Sequence, residues 1–327
     1  MVNNTHRDIS IDIIKFLAVF LIINSHMDSL YTRWSILATG GAIGDVLFLF
    51  CSGYTLLLSN KKENFIDWYK RRIIRIYPSV IVCSIVAILF SGTYDIDFLA
   101  LVGGEFIVAI MIYYAIIYFI KTYAVNKIPM IIVLCGLVSL FVYIFLFPYK
   151  YETGVKGLYG TSTLFRWLPY FAFMLFGAWI GQNRSKLTFS IRTDVLMLLI
   201  SGIVFYGVQL AAKLYPPVAP SQIVTLIPLM GVVYYGYKSC NAAFWTKAYQ
   251  SRIGGPIILT ISGLCLESYL IQGCLFTTKM NSIFPFNLII MVVIVLIVAY
   301  ICKCLSNLLI QSFRNDRYDW KSIFKLY

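Results

Sequence analysis

Long apolar runs alternate with short polar connections along the whole chain. A membrane-spanning helix needs about 20 mostly apolar residues, and ten runs approach that length. The pattern therefore predicts an all-α, polytopic membrane protein that forms one domain over residues 1–327. The predicted spans lie near residues 11–31, 40–59, 77–92, 98–120, 128–148, 166–182, 195–214, 221–237, 256–276 and 284–304.

Composition and charge support a membrane protein rather than a nucleic-acid-binding one. The chain is 60% hydrophobic and 13% charged, with a mean hydropathy of +0.81 and a net charge of +13. No compact basic domain carries this charge. With the N-terminus inside, 21 of the 27 Lys and Arg residues fall in cytoplasmic connections and 6 on the other side. We therefore predict cytoplasmic termini, a multi-pass arrangement in a bacterial inner membrane, and contacts with lipids but not with nucleic acid.

Cysteine and histidine usage argues against a metal site. The eight cysteines lie mostly in apolar runs without regular spacing, which favours packing over disulfides or thiolate ligands. Only two histidines are present. We expect no metal, no permanently bound cofactor and no cleavable signal peptide.

The first predicted span carries an unusual set of polar residues. His26, flanked by Asn24 and Ser25, lies eleven positions after Lys15. In a helix, this spacing puts both side chains on one face, about 16 Å apart along the axis, with Asp12 nearby. An imidazole inside a membrane segment is a candidate functional residue. In an alternative interpretation, His26 caps the helix at the interface and Lys15 reaches the inner headgroups.

A basic cluster follows in the predicted first cytoplasmic loop, residues 64–78. Arg71, Arg72 and Arg75 have helical spacings that favour a shared face, and Pro78 suits the first turn of the next span. Guanidinium groups near a helix start favour phosphate binding. The alternative is an interfacial segment in which Trp68 and the basic side chains meet lipid headgroups.

Three acidic residues lie in or beside apolar runs. They are Asp45, Glu105, at the start of the fourth span, and Glu267, in the middle of the ninth. Such carboxylates pair with a cation or face a wet cavity, so an internal ion pair and a catalytic role both stay open. Asp45 precedes the small pair Ser52 and Gly53, which permits close helix packing.

These clusters together suggest a route across the membrane. A ligand with phosphates at one end could dock at the basic groups and reach the imidazole with its other end. Coenzyme A has this shape, and a neutral histidine could take the proton of an attacking hydroxyl during acyl transfer. The alternatives are a transporter or flippase for a sugar-lipid or a small anion, and a membrane-bound binding protein.

The order of the motifs resembles the acyltransferase-3 family of integral membrane O-acyltransferases. Lys15 and His26, with ten residues between them and Asp12 before them, resemble the family's first-helix pattern. Further resemblances are the Ser-Gly-Tyr stretch of residues 48–54, the Arg-x-x-Arg-x-x-Pro element of residues 72–78, and the stretch from Arg166 to a Phe-Gly helix.

The resemblance implies about ten spans, an acyl-CoA donor (usually acetyl-CoA) and a glycan or lipid-linked sugar acceptor. It also implies a catalytic role for His26 and donor binding by Lys15, Arg72 and Arg75. Together with the residue-level reasoning, the candidate sites are catalytic residues His26, Glu105 and Glu267, donor-binding residues Lys15, Arg71, Arg72 and Arg75, and supporting residues Asp12, Asn24, Ser25, Asp45, Ser52, Tyr54, Arg166 and Gln272.

The chain also departs from the family pattern. Many members have a histidine where this chain has Gln272, which can form hydrogen bonds but cannot take up a proton. Glu105 stands in a stretch that is usually aromatic. We expect no fused hydrolase-like domain, so any second transfer step would occur within the membrane domain or on a partner protein.

Overall fold

A computed structural model describes residues 8–58, 63–91, 102–146, 158–159, 164–313, 318–324 and 326. Within these ranges the chain is helical and contains no β-strand, which confirms the all-α prediction. The α-helices are α1 Ile9–Ser25, α2 Gly41–Leu56, α3 Phe65–Ser91, α4 Gly104–Tyr123, α5 Ile128–Phe145, α6 Trp167–Gln182, α7 Ile191–Leu214, α8 Leu226–Ser239, α9 Ala243–Gln250, α10 Gly254–Gly263, α11 Cys265–Leu275, α12 Phe286–Ser312 and α13 Trp320–Phe324.

Every predicted span overlaps a helix or a helix pair, although residues 59, 92, 98–101 and 147–148 of these spans lie outside the described residues. In the described part, seven helical stretches are long and apolar enough to cross a membrane, or eight if the bent pair α10–α11 is one span. Helices α1 and α6 are shorter than these stretches, with 17 and 16 residues. The protein is a polytopic membrane protein, while the count of ten spans and the cytoplasmic termini stay predictions.

Helix α3 begins earlier than the sequence pattern predicts. It starts at Phe65, so most of the predicted loop is helical and Pro78 lies inside a 27-residue helix rather than in its first turn. The Lys and Arg residues before Pro78 are good helix formers and supply no break. A proline removes one helical hydrogen bond, which helices in apolar surroundings tolerate.

The ninth predicted span is broken. Helices α10 and α11 meet at an angle of 70° around Leu264, directly after Gly263. Glycine has a low helix propensity, and the Leu264 N–H donates to the Ile261 carbonyl three residues back instead of four. Glu267 therefore lies in the first turn of α11 and not in the middle of a helix, as the sequence pattern had predicted.

The chain forms two compact units. The first comprises Met1–Ile14, Val46–Asn60 and Phe119–Ser251. The second comprises Lys15–Asp45, Lys61–Tyr118 and Arg252–Tyr327. A single domain over residues 1–327 stays a prediction.

The first unit is held by a close approach of α2 and α6. A Cβ atom at Gly53 would collide with the backbone oxygen of Met174, and one at Gly177 with the backbone oxygen of Phe50. The prediction that Ser52 and Gly53 permit close helix packing is thus confirmed for Gly53. The Phe50 ring packs against Tyr54 and Tyr237 in the same unit.

In the second unit, α1 packs against the start of α2, and α3, α11 and α12 pack on one another. A Cβ atom at Gly44 would meet the Ile22 side chain of α1. Gly40, just before α2, has φ +107°, which glycine adopts without steric cost. These contacts position the last turns of α1, where the candidate site begins.

Candidate functional site

His26 lies directly after α1 and not inside it. The helix ends at Ser25, and the His26 N–H donates to the Ile23 carbonyl at 3.2 Å. The Ser25 hydroxyl donates to the Ile22 carbonyl at 2.8 Å, a local bond that competes with helix continuation. His26 is exposed. The prediction of an intrahelical histidine is therefore corrected to a histidine that directly follows the C-terminal end of α1.

Asn24 fixes the segment that follows His26. Its amide nitrogen donates to the carbonyls of Leu37 and Thr39, at 2.8 and 2.9 Å. Its amide oxygen accepts a hydrogen bond from the Tyr31 hydroxyl at 2.7 Å. Burial raises the pKa of the Tyr31 phenol, so that group stays protonated and remains a donor. Asn24, predicted to support His26, thus orders the loop beyond it.

The same loop is held from the first turn of α12 and from the 3₁₀ turn before it. The Asn281 amide donates to the Ser29 carbonyl at 2.9 Å, and the Asn287 amide donates to the Leu30 carbonyl at 3.0 Å. Met27 and Leu30 are buried. His26 therefore presents an exposed imidazole on a backbone that is anchored on both sides.

The two polar residues earlier on α1 have different surroundings. Lys15 is half-buried. Asp12 is buried, and its carboxylate accepts a hydrogen bond from the Tyr249 hydroxyl of α9 at 3.0 Å. Asp12 thus anchors the first turn of α1 within the first unit.

The three arginines of α3 have three different environments. Arg71 forms an ion pair with Glu63. The Arg72 guanidinium stacks over the Trp68 ring at 4.1 Å and lies 5.9 Å from the Tyr114 ring. Arg75 is exposed. The sequence pattern had grouped them on one face, and the structure shows that Glu63 draws Arg71 into a separate contact.

Arg72 lies on a rigid aromatic platform. Trp68 is 1% exposed, and its indole N–H donates to the Tyr114 carbonyl at 3.3 Å. The Arg72 Nε is buried and has no hydrogen-bond partner among the described residues. A cation held over a ring keeps its N–H edge available for an anion.

Glu267 is the centre of a buried polar cluster. Its Oε1 accepts hydrogen bonds from the Ser79 hydroxyl at 2.5 Å and from the Lys303 ammonium at 2.9 Å. The Glu267 side chain is fully buried. An internal ion pair, one of the two interpretations of this residue, is therefore present. On the same helix Gln272 is also buried.

The remaining predicted site residues are dispersed. Glu105 lies in the first turn of α4, as predicted, where a carboxylate is favourable. Asp45 and Ser52 are half-buried on α2. Arg166 ends the short 3₁₀ turn before α6, and its Nη1 donates to the Tyr159 carbonyl at 3.4 Å.

Sequence reasoning missed a hub at Asp8 in the first unit. One carboxylate oxygen of Asp8 accepts from the Tyr54 hydroxyl at 2.6 Å, the Tyr237 hydroxyl at 3.0 Å and the Arg184 Nε at 3.1 Å. The other accepts from the Ser10 N–H at 3.1 Å, which caps α1. A capping role for Asp8 could have been predicted from an acidic residue before an apolar run. Its hydrogen-bond partners could not, because they lie up to 229 positions away in the sequence.

A pocket of about 270 Å³ adjoins this hub. It is lined by Asp8, Ile9, Ser10, Arg184, Cys240, Asn241 and Thr246. Burial, with a smaller contribution from the Asp8 charge, raises the pKa of the Cys240 thiol to about 12. That thiol therefore stays protonated and is a poor nucleophile.

Comparison with protein families identifies the chemistry. The model of the acyltransferase-3 type, described as an acyltransferase domain, matches residues 8–307. The chain belongs to this acyltransferase family. No curated protein matches the chain, and no solved structure matches it. The protein is therefore a multi-pass membrane acyltransferase that takes an acyl group from a donor, and all the candidate residues above lie in the matched region.

Proposed function

We propose that this acyltransferase is an O-acetyltransferase of a bacterial inner membrane. It moves an acetyl group from cytoplasmic acetyl-CoA to a hydroxyl of a cell-surface polysaccharide or a lipid-linked sugar. The observation that carries the proposal is the exposed imidazole of His26 on an anchored backbone, eleven residues beyond Lys15 on α1.

In the proposed step, His26 acts as the general base. The neutral imidazole takes the proton of the acceptor hydroxyl while the hydroxyl oxygen attacks the acyl carbon. The new ester C–O bond forms, the thioester C–S bond breaks, and the leaving thiolate receives the proton from the imidazolium. Asp45 and Glu105 are the candidates for holding the second ring nitrogen, because Glu267 is already paired with Ser79 and Lys303.

The donor phosphates would bind the basic residues of the second unit. Arg72 offers an N–H edge from its aromatic platform, Arg75 is exposed, and Lys15 lies on the helix that leads to His26. Lys15 lies about 15 Å along the helix axis before Ser25, the residue next to His26, a distance that the extended arm of coenzyme A can cover. Arg71 is a weaker candidate because Glu63 neutralises it.

The decisive experiment uses purified protein, labelled acetyl-CoA and candidate glycans. We expect His26→Ala to abolish labelled glycan while the variant unfolds at the same temperature as the unchanged protein. His6→Ala, at the only other histidine of the chain, is the matched control and should retain transfer. Normal acetylation by the His26→Ala variant would exclude this base.

Transport of a sugar-lipid beside acyl transfer is the second candidate function, and the 70° break between α10 and α11 favours it. Broken helices at such positions bind substrates in many transporters. In proteoliposomes, a transporter would move a labelled sugar-lipid across the bilayer without any acyl donor. An acetyltransferase that does not transport would leave it in place and modify it only when acetyl-CoA is added.

A further inference from the structure

The Ser79–Glu267–Lys303 cluster lies deeper along the same stripe of α3 as the two candidate donor-binding arginines. Arg72 and Ser79 are seven residues apart and Arg75 and Ser79 are four apart, so the three side chains share one helix face. Ser79 is about 6 Å beyond Arg75 and about 10 Å beyond Arg72 along the helix axis. A thin ligand held by its phosphates at the arginines would pass this cluster next.

The cluster has unused hydrogen-bonding capacity. The Oε2 atom of Glu267, the hydroxyl of Ser268 and the amide oxygen of Gln272 are all buried and lack hydrogen-bond partners in the part of the chain that the structure describes. Ser268 and Gln272 are one turn apart on α11. Leaving such groups unpaired costs free energy, which a bound polar ligand would recover.

The charges of the cluster define the ligand class. Glu267 and Lys303 neutralise each other, so the cluster does not attract a phosphate, and the carboxylate would repel one. The Lys303 side chain is 24% exposed, so the cluster is not sealed. It offers oxygen acceptors beside an ammonium donor, an arrangement that complements the N–H and C=O groups of secondary amides.

We propose that this cluster binds the amide-bearing arm of an acyl-CoA donor. Amide N–H groups of the arm donate to Glu267 Oε2 and to the Gln272 amide oxygen, and an amide C=O accepts from Lys303. The inference rests on the proposed function, because it requires a coenzyme A thioester as donor. Under this proposal two sites recognise the donor: the arginines bind its phosphates, and the deeper, overall neutral cluster binds its arm.

The test compares two donors: acetyl-CoA, and S-acetylpantetheine, which keeps both amides but lacks phosphates and nucleotide. We expect Glu267→Gln to raise KM for both donors about tenfold, the scale of a hydrogen bond to a charged group. Arg75→Gln should raise KM for acetyl-CoA and leave KM for S-acetylpantetheine unchanged. An unchanged KM for S-acetylpantetheine in the Glu267→Gln variant would overturn the inference.

Two controls separate binding from folding. Asp194→Asn breaks a second buried Lys–carboxylate pair among the described residues, Asp194–Lys238, and should leave both KM values unchanged in the fraction that folds. If Glu267→Gln fails to fold, Gln272→Ala takes its place and should raise both KM values, and unchanged values would overturn the inference equally. If the unchanged protein transfers nothing from acetyl-CoA, the proposed function itself fails. That result differs from active variants whose KM values are unaltered, which would overturn only the inference about the cluster.

Discussion

Two buried Lys–carboxylate pairs in the described part of the chain differ in how many of their carboxylate oxygens have a partner. In the first unit, Asp194 binds Lys238 at 2.5 Å with one oxygen and accepts the Ser190 N–H at 2.9 Å with the other. In the second unit, both donors of Glu267 converge on Oε1, and Oε2 has no partner within the described ranges. Each Asp194 oxygen thus contacts either the Lys238 ammonium or an N–H, whereas Glu267 Oε2 contacts neither a cation nor a hydrogen-bond donor in the described residues.

The lysines reinforce this contrast. The Lys238 side chain is 10% exposed and lies 5.4 Å from the Tyr234 ring centre, so protein surrounds it. The Lys303 side chain is more accessible, with 24% of its surface exposed. Burying an ion pair adds little net stability, so a pair with an open oxygen needs a reason other than stability. Ligand binding supplies one.

Breaking the Asp194–Lys238 pair should have the largest effect on stability. Asp194→Ala leaves Lys238 buried without a counter-charge and removes the acceptor for the Ser190 N–H, so we expect the free energy of unfolding to fall by about 3–5 kcal/mol. Denaturant titration in detergent micelles measures this change. Lys238→Met, which removes the other partner, should cost a similar amount. If Asp194→Ala unfolds like the unchanged protein, the pair is not structural.

Replacing both members of each pair by apolar residues would sharpen the comparison further. Such replacements are often neutral for stability because they remove the desolvation cost along with the attraction. We expect Asp194→Leu with Lys238→Met to keep both fold and transfer. Glu267→Leu with Lys303→Met should keep the fold but weaken acetyl-CoA binding about tenfold, the scale of one charge-assisted hydrogen bond.

Equilibrium binding of coenzyme A to the two double variants checks this prediction without requiring the acceptor sugar. Thermal unfolding of the same samples shows whether the apolar pairs pack. Equal affinity in both double variants would show that the open oxygen of Glu267 has no role in donor binding.

The arginines of α3 extend the contrast between closed and open polar groups. One face of the Arg72 guanidinium is covered by the Trp68 ring, while its Nε has no hydrogen-bond partner among the described residues. Trp68→Leu removes the cation–π contact, worth about 1 kcal/mol, and should raise KM for acetyl-CoA about fivefold. Trp68→Phe, which keeps a ring, should raise it less. Steady-state kinetics at fixed acceptor concentration measures both, and equal effects would exclude the platform role.

The apolar pattern of the sequence predicted where the helices lie, because burial in lipid constrains every position of a span. The residues at which a helix ends or bends were harder to predict, because they depend on local hydrogen bonds that compete with those of the helix. Helix α1 stops before His26 because Asn24 and Ser25 form hydrogen bonds with nearby carbonyls. The break at Leu264 depends on Gly263, one of several glycines in apolar runs, and a single sequence does not show which of them bends the chain.

Ion-pair and hydrogen-bond partners that are distant in the sequence could not be predicted. The sequence singled out Glu267 as a carboxylate that either pairs with a cation or faces a wet cavity, yet Lys303 is 36 positions away and Ser79 is 188 positions away. Many lysines and serines could have filled these roles. Asp8 went unnoticed for the same reason, since its importance comes from Tyr54, Tyr237 and Arg184, which the fold brings to it.

Arg71 provides the smallest and most discriminating comparison. Its ion pair with Glu63 leaves the Arg71 side chain 42% exposed, and exposed pairs contribute about 0–1 kcal/mol, so Glu63→Gln should hardly change stability. The substitution frees the Arg71 guanidinium, so KM for acetyl-CoA should fall by up to about twofold at low salt and return toward its original value as salt screens the charge.

Arg71→Gln in the unchanged background should have little effect, whereas Arg75→Gln should weaken donor binding. Equal losses from Arg71→Gln and Arg75→Gln would mean that Glu63 does not neutralise Arg71, and that the three arginines bind phosphate together, as their spacing alone had suggested.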